Sequence, residues 1–224
     1  MLNQMQIDRM LKKLKRFEEC LEPYIFTKVG EVDFKAFVTD KQYHEIPDDS
    51  LFEPIEKGFT WQGENRYCWY KGEYTVPAEL EGKPLFIKPK MEGYEAMLWV
   101  DGRVSGTFAT KIVYTGHGNH YCDMIKMNPK AGEKINIAIE YYGGHHCIGC
   151  QPFEVAPIKN YNFKYEGADI CVKNYEIQDF YFDLQALNQM AEALPDDSFR
   201  KGEIINCLYE VHNNVYYSID NVDW

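Results

Sequence analysis

The sequence contains no long apolar run, because no window approaches the roughly 18 uncharged apolar residues that favour a membrane-spanning helix. Its first residues also lack the apolar core of a secretory signal. Basic residues are in deficit, with 24 Lys and Arg against 35 Asp and Glu. A general affinity for nucleic acid or anionic membranes is therefore not expected. These absences predict a cytoplasmic protein with neither a nucleic acid nor a membrane as partner.

The short motifs of common catalytic sites are missing too. The chain has no Gly-x-Ser-x-Gly sequence and no glycine-rich phosphate loop. Its many carboxylates cannot be paired as acid and base without their geometry. The seven cysteines are odd in number and scattered, which favours reduced thiols over a disulfide framework. From the residues alone we assign no catalytic residue.

Aromatic residues, by contrast, are abundant, with 17 Tyr and 13 Phe, and the central sequence alternates as strands do. Strands are predicted at 67–77, 85–87, 95–100 and 134–142. Asp101-Gly102 is typical of a tight hairpin turn. In the last strand Ile135, Ile137 and Ile139 face one side, while Ala138 and Glu140 face the other. The pattern indicates an antiparallel sheet with one packed face.

Helices are predicted at both ends of the chain. Residues 1–23 form an amphipathic helix whose Lys and Arg side is interpreted as a solvated face, with a membrane anchor as the alternative. Residues 24–182 are assigned to a β-sandwich domain. Residues 183–224 are assigned to a helical pair that begins at Asp183 as N-cap. The second tail helix is expected either to fold back on the sandwich or to pair with a neighbouring chain, and we predict partial fold-back with a homodimer contact through Ile204, Leu208 and Val211.

Two features suggest binding sites. His145, His146, Cys147 and Cys150 lie in one glycine-containing stretch and offer the ligand types of zinc, or alternatively a redox-active Cys-x-x-Cys pair. The four-ligand spacing of a zinc ribbon is incomplete, so we predict no metal and no cofactor in this chain. Trp61, predicted to lie in a loop beside Gly63, is the candidate for weak carbohydrate binding by ring stacking.

A series of motifs recurs in a recognisable order along the chain. The motifs are Trp61-x-Gly63, Tyr67-x-Trp69-Tyr70, Tyr74-Thr75-Val76-Pro77, Gly82-Lys83 and Leu98-x-Val100-Asp101-Gly102, followed in the tail by Phe182 to Leu187, Ala191 to Ser198 and Arg200. In this order they resemble the amino-terminal domain and helical linker of the cytosolic, vacuolar-type α-mannosidases of glycoside hydrolase family 38. The resemblance covers nearly the whole chain.

The resemblance implies a mainly β fold: a jelly-roll, galactose-binding-like antiparallel β-sandwich with an amino-terminal helix and a carboxy-terminal helical pair. It implies a non-catalytic domain that is structural or frames the substrate. Its expected partner is the catalytic barrel of the same enzyme or an associated polypeptide. In the family, zinc and the nucleophile belong to that barrel, towards which residues 183–224 lead. The alternative is a free-standing carbohydrate-binding β-sandwich module.

Overall fold

The computed structural model describes residues 3–108, 123–144 and 161–215. The chain divides into two compact units. Met1–Thr27 and Lys173–Trp224 make up one of them, and Lys28–Val172 makes up the other. Within the described residues the first unit carries the α-helices and the second carries the body of the two β-sheets.

The strand unit is built from two antiparallel sheets. The strands are β1 (Phe26–Glu31), β2 (Phe34–Thr39), β3 (Glu53–Pro54), β4 (Thr60–Gln62), β5 (Tyr67–Thr75), β6 (Leu85–Met91), β7 (Glu95–Val100), β8 (Arg103–Phe108), β9 (Met124–Lys126), β10 (Lys134–Tyr142) and β11 (Asn162–Lys173). One sheet has the order β1-β11-β6-β9, with β4 also paired to β11, and the other has the order β3-β2-β5-β10-β7-β8. The predicted mainly β sandwich, consistent with a jelly roll, is confirmed.

The main core lies between the two sheets and follows the predicted alternation. In β10, Ile135, Ile137 and Ile139 are at most 1% exposed, because successive side chains of a strand point to opposite faces. The predicted bounds of β7 and β10 are confirmed. The predicted hairpin is confirmed as well, since Asp101 and Gly102 adopt φ values of 50° and 77° between β7 and β8, as a type I′ turn requires.

The expectation that only one face of the sheet is packed is wrong. On the outer face of the six-stranded sheet, which we define as the face turned away from the main core, Ala138 packs with Phe52, Trp69 and Trp99 in a second cluster. The half-buried side chains of Phe37, Tyr43, Ile46, Tyr67 and Met97 complete it. Part of this cover comes from residues 43–52, a segment between β2 and β3 that contains no strand.

The helical unit has an apolar core of its own. Its helices are α1 (Gln4–Leu21), α2 (Tyr175–Ala193) and α3 (Phe199–Asn214). Asn3 and Gln6 form a capping box that starts α1, which satisfies two backbone donors at once. The predicted apolar stripe of α1 is buried, whereas Lys12, Lys13, Lys15 and Arg16 are exposed. Among the described helices, none is both long and apolar enough to cross a membrane.

The predicted start of the tail helices at Asp183 is wrong. Helix α2 already begins at Tyr175, and the Asn174 side chain accepts a hydrogen bond from the Ile177 N–H as N-cap. The sequence analysis assigns the aromatic run before Asp183 to the β-sandwich domain, but Phe180 and Tyr181 pack against a cluster that contains α1 residues. Tertiary packing therefore outweighs the low helix propensity of aromatic side chains.

The predicted dimer stripe is also corrected. Leu208 is only 4% exposed and packs in the helical core, and Ile204 packs partly buried against it. Val211 remains exposed. Because two of the three stripe residues are satisfied within the chain, they do not offer the contact surface that the sequence suggested; homodimerisation itself stays a prediction.

Candidate functional site

Trp61 does not lie in a loop but in β4, where it pairs with Phe163 of β11. Its side chain is 4% exposed, and its ring centroid lies 5.0 Å from that of Phe163. Gly63 packs directly against the Phe163 ring, since a Cβ added at Gly63 would come within 2.4 Å of a Phe163 ring atom. The prediction that the Trp61 ring is exposed in a loop is therefore wrong. A sugar can stack on Trp61 only when the indole leaves the core.

The candidate zinc and redox residues His145, His146, Cys147 and Cys150 lie outside the described residues. Four other cysteines lie in the described residues as thiols: Cys20, Cys68, Cys171 and Cys207. Burial raises the pKa of Cys68 to about 12 and that of Cys171 to about 11. Such thiols stay protonated near neutral pH and are poor nucleophiles and poor metal ligands.

The register of the six-stranded sheet brings the most unusual side chains together on its outer face. Directly opposed residues of neighbouring strands form one row: Phe37, Trp69, Glu140, Met97 and Thr107. The adjacent row on one side contains Lys71, Ala138, Trp99 and Val104, and the row on the other side contains Tyr67, Tyr142 and Glu95. Glu140 thus lies directly between Trp69 and Met97, with Tyr67, Trp99, Lys71 and Glu95 as its diagonal neighbours.

Ring contacts hold the aromatic side chains of this face in place. The centroids of Trp69 and Trp99 are 5.9 Å apart, and those of Tyr67 and Tyr142 are 5.0 Å apart. Phe37 contacts Phe52 at 6.0 Å. Aromatic pairs at these distances add to the stabilisation that comes from buried area. The indoles are enclosed, whereas the two tyrosines are half-buried.

Glu140 is the carboxyl group on this face whose ionisation is most disturbed. Burial raises its pKa from a usual 4.5 to about 7, since a charged carboxylate loses hydration among apolar neighbours. Its Oε1 has no hydrogen-bond partner within the described part of the chain. Asp169 on the other sheet is also a buried carboxyl, but it forms an ion pair with Lys90 at 2.5 Å. Burial by itself therefore does not make Glu140 unusual.

Two further polar atoms near Glu140 share this condition. Nε1 of Trp69 and Nε1 of Trp99 are buried and have no hydrogen-bond partner in the described residues. Leaving a buried donor or acceptor unsatisfied costs about 1–3 kcal/mol each. We refer to Trp69, Trp99 and Glu140, with the half-buried Tyr67, Tyr142 and Met97 beside them, as the outer-face cluster. It brings together two hydrogen-bond donors, one carboxyl group and several aromatic rings.

A surface cleft of about 710 Å³ lies beside Phe37, which is directly opposite Trp69 of the outer-face cluster. It is lined by Ala36, Phe37, Val38, Leu51, Glu53, Pro54, Ile55, Glu56, Lys57 and Phe59. The cleft follows β2, whose partner β3 covers only Lys35 and Ala36. The charge of Lys57 is engaged, because its Nζ lies 3.0 Å from Glu31.

Sequence reasoning placed Glu140 on the outward side of β10 but gave it no role. The available signal was the position of two tryptophans, Trp69 and Trp99, at outward-facing positions of neighbouring strands. An outward tryptophan beside an outward carboxylate predicts a non-polar environment for that carboxylate only if the strands are known to be neighbours. The pairing of β5, β10 and β7 was not available from the sequence.

No protein-family model matches the chain, and no curated protein sequence matches it. Among solved structures, a β-glucuronidase of Ruminococcus gnavus aligns with 66% of this chain and 28% of its own, with 12% identity and a TM-score of 0.42.

A β-glucuronidase of Faecalibacterium prausnitzii aligns with 66% of this chain and 32% of its own, with 12% identity and a TM-score of 0.40. The chain thus spans less than a third of the length of these glycosidases. Similarities at this TM-score carry no argument about fold or function.

Proposed function

We propose that this chain is a non-catalytic β-sandwich domain that works with the catalytic domain of a glycoside hydrolase, and that the particular enzyme is an α-mannosidase. The observation that carries the proposal is the position of the residues behind the family resemblance. They build the framework of the central sheet and the junction between α2 and α3, in the order in which the family has them.

The hairpin motif illustrates this framework role. Asp101 does more than close the turn between β7 and β8, because its Oδ1 accepts a hydrogen bond of 3.0 Å from the Asn136 N–H of β10. The Asp101 N–H in turn donates to the Asn136 carbonyl at 2.8 Å. One motif residue therefore fixes three strands. A motif residue that makes several backbone contacts supports a fold shared with the family. The proposed function is taken from the resemblance to that family.

The tail motif has a comparable role. Ser198 is the N-cap of α3, and its side chain accepts a hydrogen bond from the Lys201 N–H. The buried Lys201 ammonium group donates to the Leu194 carbonyl at 3.1 Å and to Asp196 at 2.6 Å. These contacts set the turn between α2 and α3. They support the interpretation of the tail as a defined structural element rather than an unstructured linker.

In this proposal the partner is a catalytic barrel, in the same enzyme or in an associated polypeptide, and zinc belongs to that barrel. The proposed location is the cytoplasm. A free-standing carbohydrate-binding module is the second candidate. The outer-face cluster favours it, because aromatic rings beside a carboxyl group are suited to saccharide recognition.

The experiment begins with the reading frame that follows Trp224 and the frames beside it. We expect a glycoside hydrolase barrel there. Two versions of that enzyme, with and without residues 1–224, are compared for hydrolysis of 4-nitrophenyl α-D-mannopyranoside, and the 224-residue chain is assayed alone. We expect turnover by the longer enzyme, reduced turnover or solubility without residues 1–224, and none by the chain alone.

Two results would overturn the proposal. One is turnover by the isolated chain that disappears when a residue within 1–224 is substituted, since this would make the chain itself the catalyst. The other is the absence of any glycoside hydrolase in or beside the reading frame, together with saccharide binding by the chain. That combination would instead establish the free-standing module.

A further inference from the structure

The outer-face cluster has the hydrogen-bonding capacity of a binding site. Within the described residues, three of its buried atoms have no hydrogen-bond partner: the indole nitrogens of Trp69 and Trp99 and one carboxyl oxygen of Glu140. Trp69 and Glu140 are directly opposed across β5 and β10, and Trp99 is a diagonal neighbour of Glu140 on β7. Diagonal neighbours in an antiparallel sheet are about 7–8 Å apart, so the three residues lie within the span of one small molecule, which contacts the buried atoms once the half-buried side chains beside them move aside.

The chemistry of these atoms selects among ligand classes. An indole N–H only donates, whereas the Glu140 carboxyl accepts when ionised and can also donate when protonated. An anion would satisfy the indoles but would be repelled by the ionised form of Glu140. A cation would pair with Glu140 but leave both indole donors without an acceptor. A hydroxyl group both accepts and donates, so neighbouring hydroxyls of one neutral molecule satisfy the indoles and the carboxylate together.

The rim of the cluster adds a second requirement that points the same way. Tyr67, Met97, Glu140 and Tyr142 are half-buried, so this side is reachable from solvent, whereas the two indoles form the enclosed side. The Tyr67 and Tyr142 rings are 5.0 Å apart and inclined at 33°. Aromatic rings beside hydrogen-bonding groups suit a ligand with apolar C–H faces and polar edges.

We propose that the outer-face cluster is a binding site for a neutral pyranose, with its ring against Tyr67 and Tyr142 and its hydroxyls bonded to Trp69, Trp99 and Glu140. The site differs in place from Trp61, which is in the core. The inference deepens the proposed function, on which its biological meaning rests, because an accessory domain with this site would hold the glycan that an associated enzyme cleaves.

The test follows the indole N–H signals of the ¹⁵N-labelled chain by nuclear magnetic resonance. Trp69→Phe and Trp99→Phe variants assign the two signals of interest. The probes are the methyl glycosides of mannose, glucose and galactose, up to about 50 mM because small ligands with few contacts bind weakly. We expect at least one glycoside to shift the Trp69 and Trp99 signals in a saturable way while the Trp61 signal stays in place.

Glu140→Gln is the informative variant, and Glu73→Gln is its matched control. Glu73 lies on the same face of β5 but is exposed and paired with Lys134 at 2.8 Å. We expect Glu140→Gln to weaken binding about tenfold, as loss of a hydrogen bond to a charged group does, and Glu73→Gln to leave it unchanged. If Glu140→Gln fails to fold, nuclear Overhauser contacts from the glycoside ring protons to Tyr142 in the wild-type chain decide the question.

Several outcomes would overturn the inference. The inference fails if glycosides leave both indole signals in place, shift them equally in Glu140→Gln and wild type, or shift the signal of Trp61 instead. A response to choline or acetate with none to the glycosides would show a cation or anion site. Because binding is measured on the chain itself, its failure leaves the proposed pairing with a catalytic domain to be judged by the hydrolysis experiment.

Discussion

The inner and outer faces of the six-stranded sheet are made from alternate residues of the same strands, yet they bury different chemical groups. On the inner face of β10, Ile135, Ile137 and Ile139 are buried against the opposite sheet. On the outer face, Ala138 is equally buried, but the next outward residue is Glu140, with a raised pKa and an unsatisfied oxygen. Both faces place polar groups among aromatic rings, since the Tyr70 hydroxyl lies in the main core, but the polar group of the outer face is a carboxyl.

The difference shows what a strand's alternation specifies. It assigns each residue to a face, but it does not say what covers that face. The inner face is covered by a second sheet, which supplies aliphatic and aromatic side chains, Trp61 and Tyr165 among them. The outer face is covered in part by residues 43–52, with Lys71 held by an ion pair to Asp49 and lying 5.9 Å from the Phe52 ring. Partial cover encloses the indoles and leaves Glu140 reachable.

The largest expected effect belongs to the inner face. Ile139→Ala removes a fully buried side chain from the main core, which leaves a cavity and costs about 3 kcal/mol or more in free energy of unfolding. Urea denaturation followed by circular dichroism measures it. Asn136→Ala, at an exposed outward position of the same strand, is the control and should change stability by less than about 0.5 kcal/mol. A loss below about 1 kcal/mol for Ile139→Ala would mean that the core is looser than described.

A smaller effect, of the opposite sign, is expected on the outer face. The folded-state pKa of Glu140 is about 7 against a usual 4.5, so the folded chain binds the proton more tightly than the unfolded chain does. The stability of the wild type should therefore fall as pH rises through this window. The shift corresponds to roughly 3 kcal/mol if fully expressed, and the partial exposure of Glu140 reduces it to about 1–2 kcal/mol.

Glu140→Gln should remove this pH dependence and make the chain more stable than wild type at pH 8. Unfolding curves at pH 5 and pH 8 measure both predictions. Other charged groups of this face include Glu73 and Glu95, which are exposed, and Lys71, which is paired with Asp49. Glu73→Gln is again the control. An unchanged difference between pH 5 and pH 8 in Glu140→Gln would assign the effect to another group.

The smallest effect is expected at the margin of the outer face. Val104 lies opposite Trp99 on β8 but is 54% exposed. Val104→Thr should therefore change the free energy of unfolding by less than about 0.5 kcal/mol, as measured by the same denaturation curves. A loss of more than about 1 kcal/mol in the free energy of unfolding would show that the outer-face cluster extends to β8 and that Val104 is part of it.

The sequence predicted local elements well where one pattern dominated. Strands β7 and β10 and the Asp101-Gly102 turn have the predicted bounds because alternation and turn chemistry act over a few residues. Helix α2 was placed too late because its first two turns are aromatic, and aromatic residues favour strands as readily as buried helix faces. Asn174, which caps the helix, was not recognised as the N-cap of a helix that begins in an aromatic run.

The candidate site could be predicted only in part. Trp61 was expected in a loop since Gly63 follows it closely, but the glycine is there to let the Phe163 ring approach. The burial of Ile204 and Leu208 likewise depends on α1, a helix at the other end of the chain. In each case the deciding neighbour is more than a hundred residues away in sequence.

The amino-acid sequence by itself determined the β-rich centre, the helical ends, the hairpin at Asp101-Gly102 and the inward row of β10, because these depend on backbone propensity and short-range periodicity. Only the tertiary structure decided that Trp69, Glu140 and Trp99 meet on one covered face. That meeting depends on which strands pair and in what register, and on a distant segment that shields the indoles from water. Burial raises the pKa of a carboxyl only once those neighbours are in place.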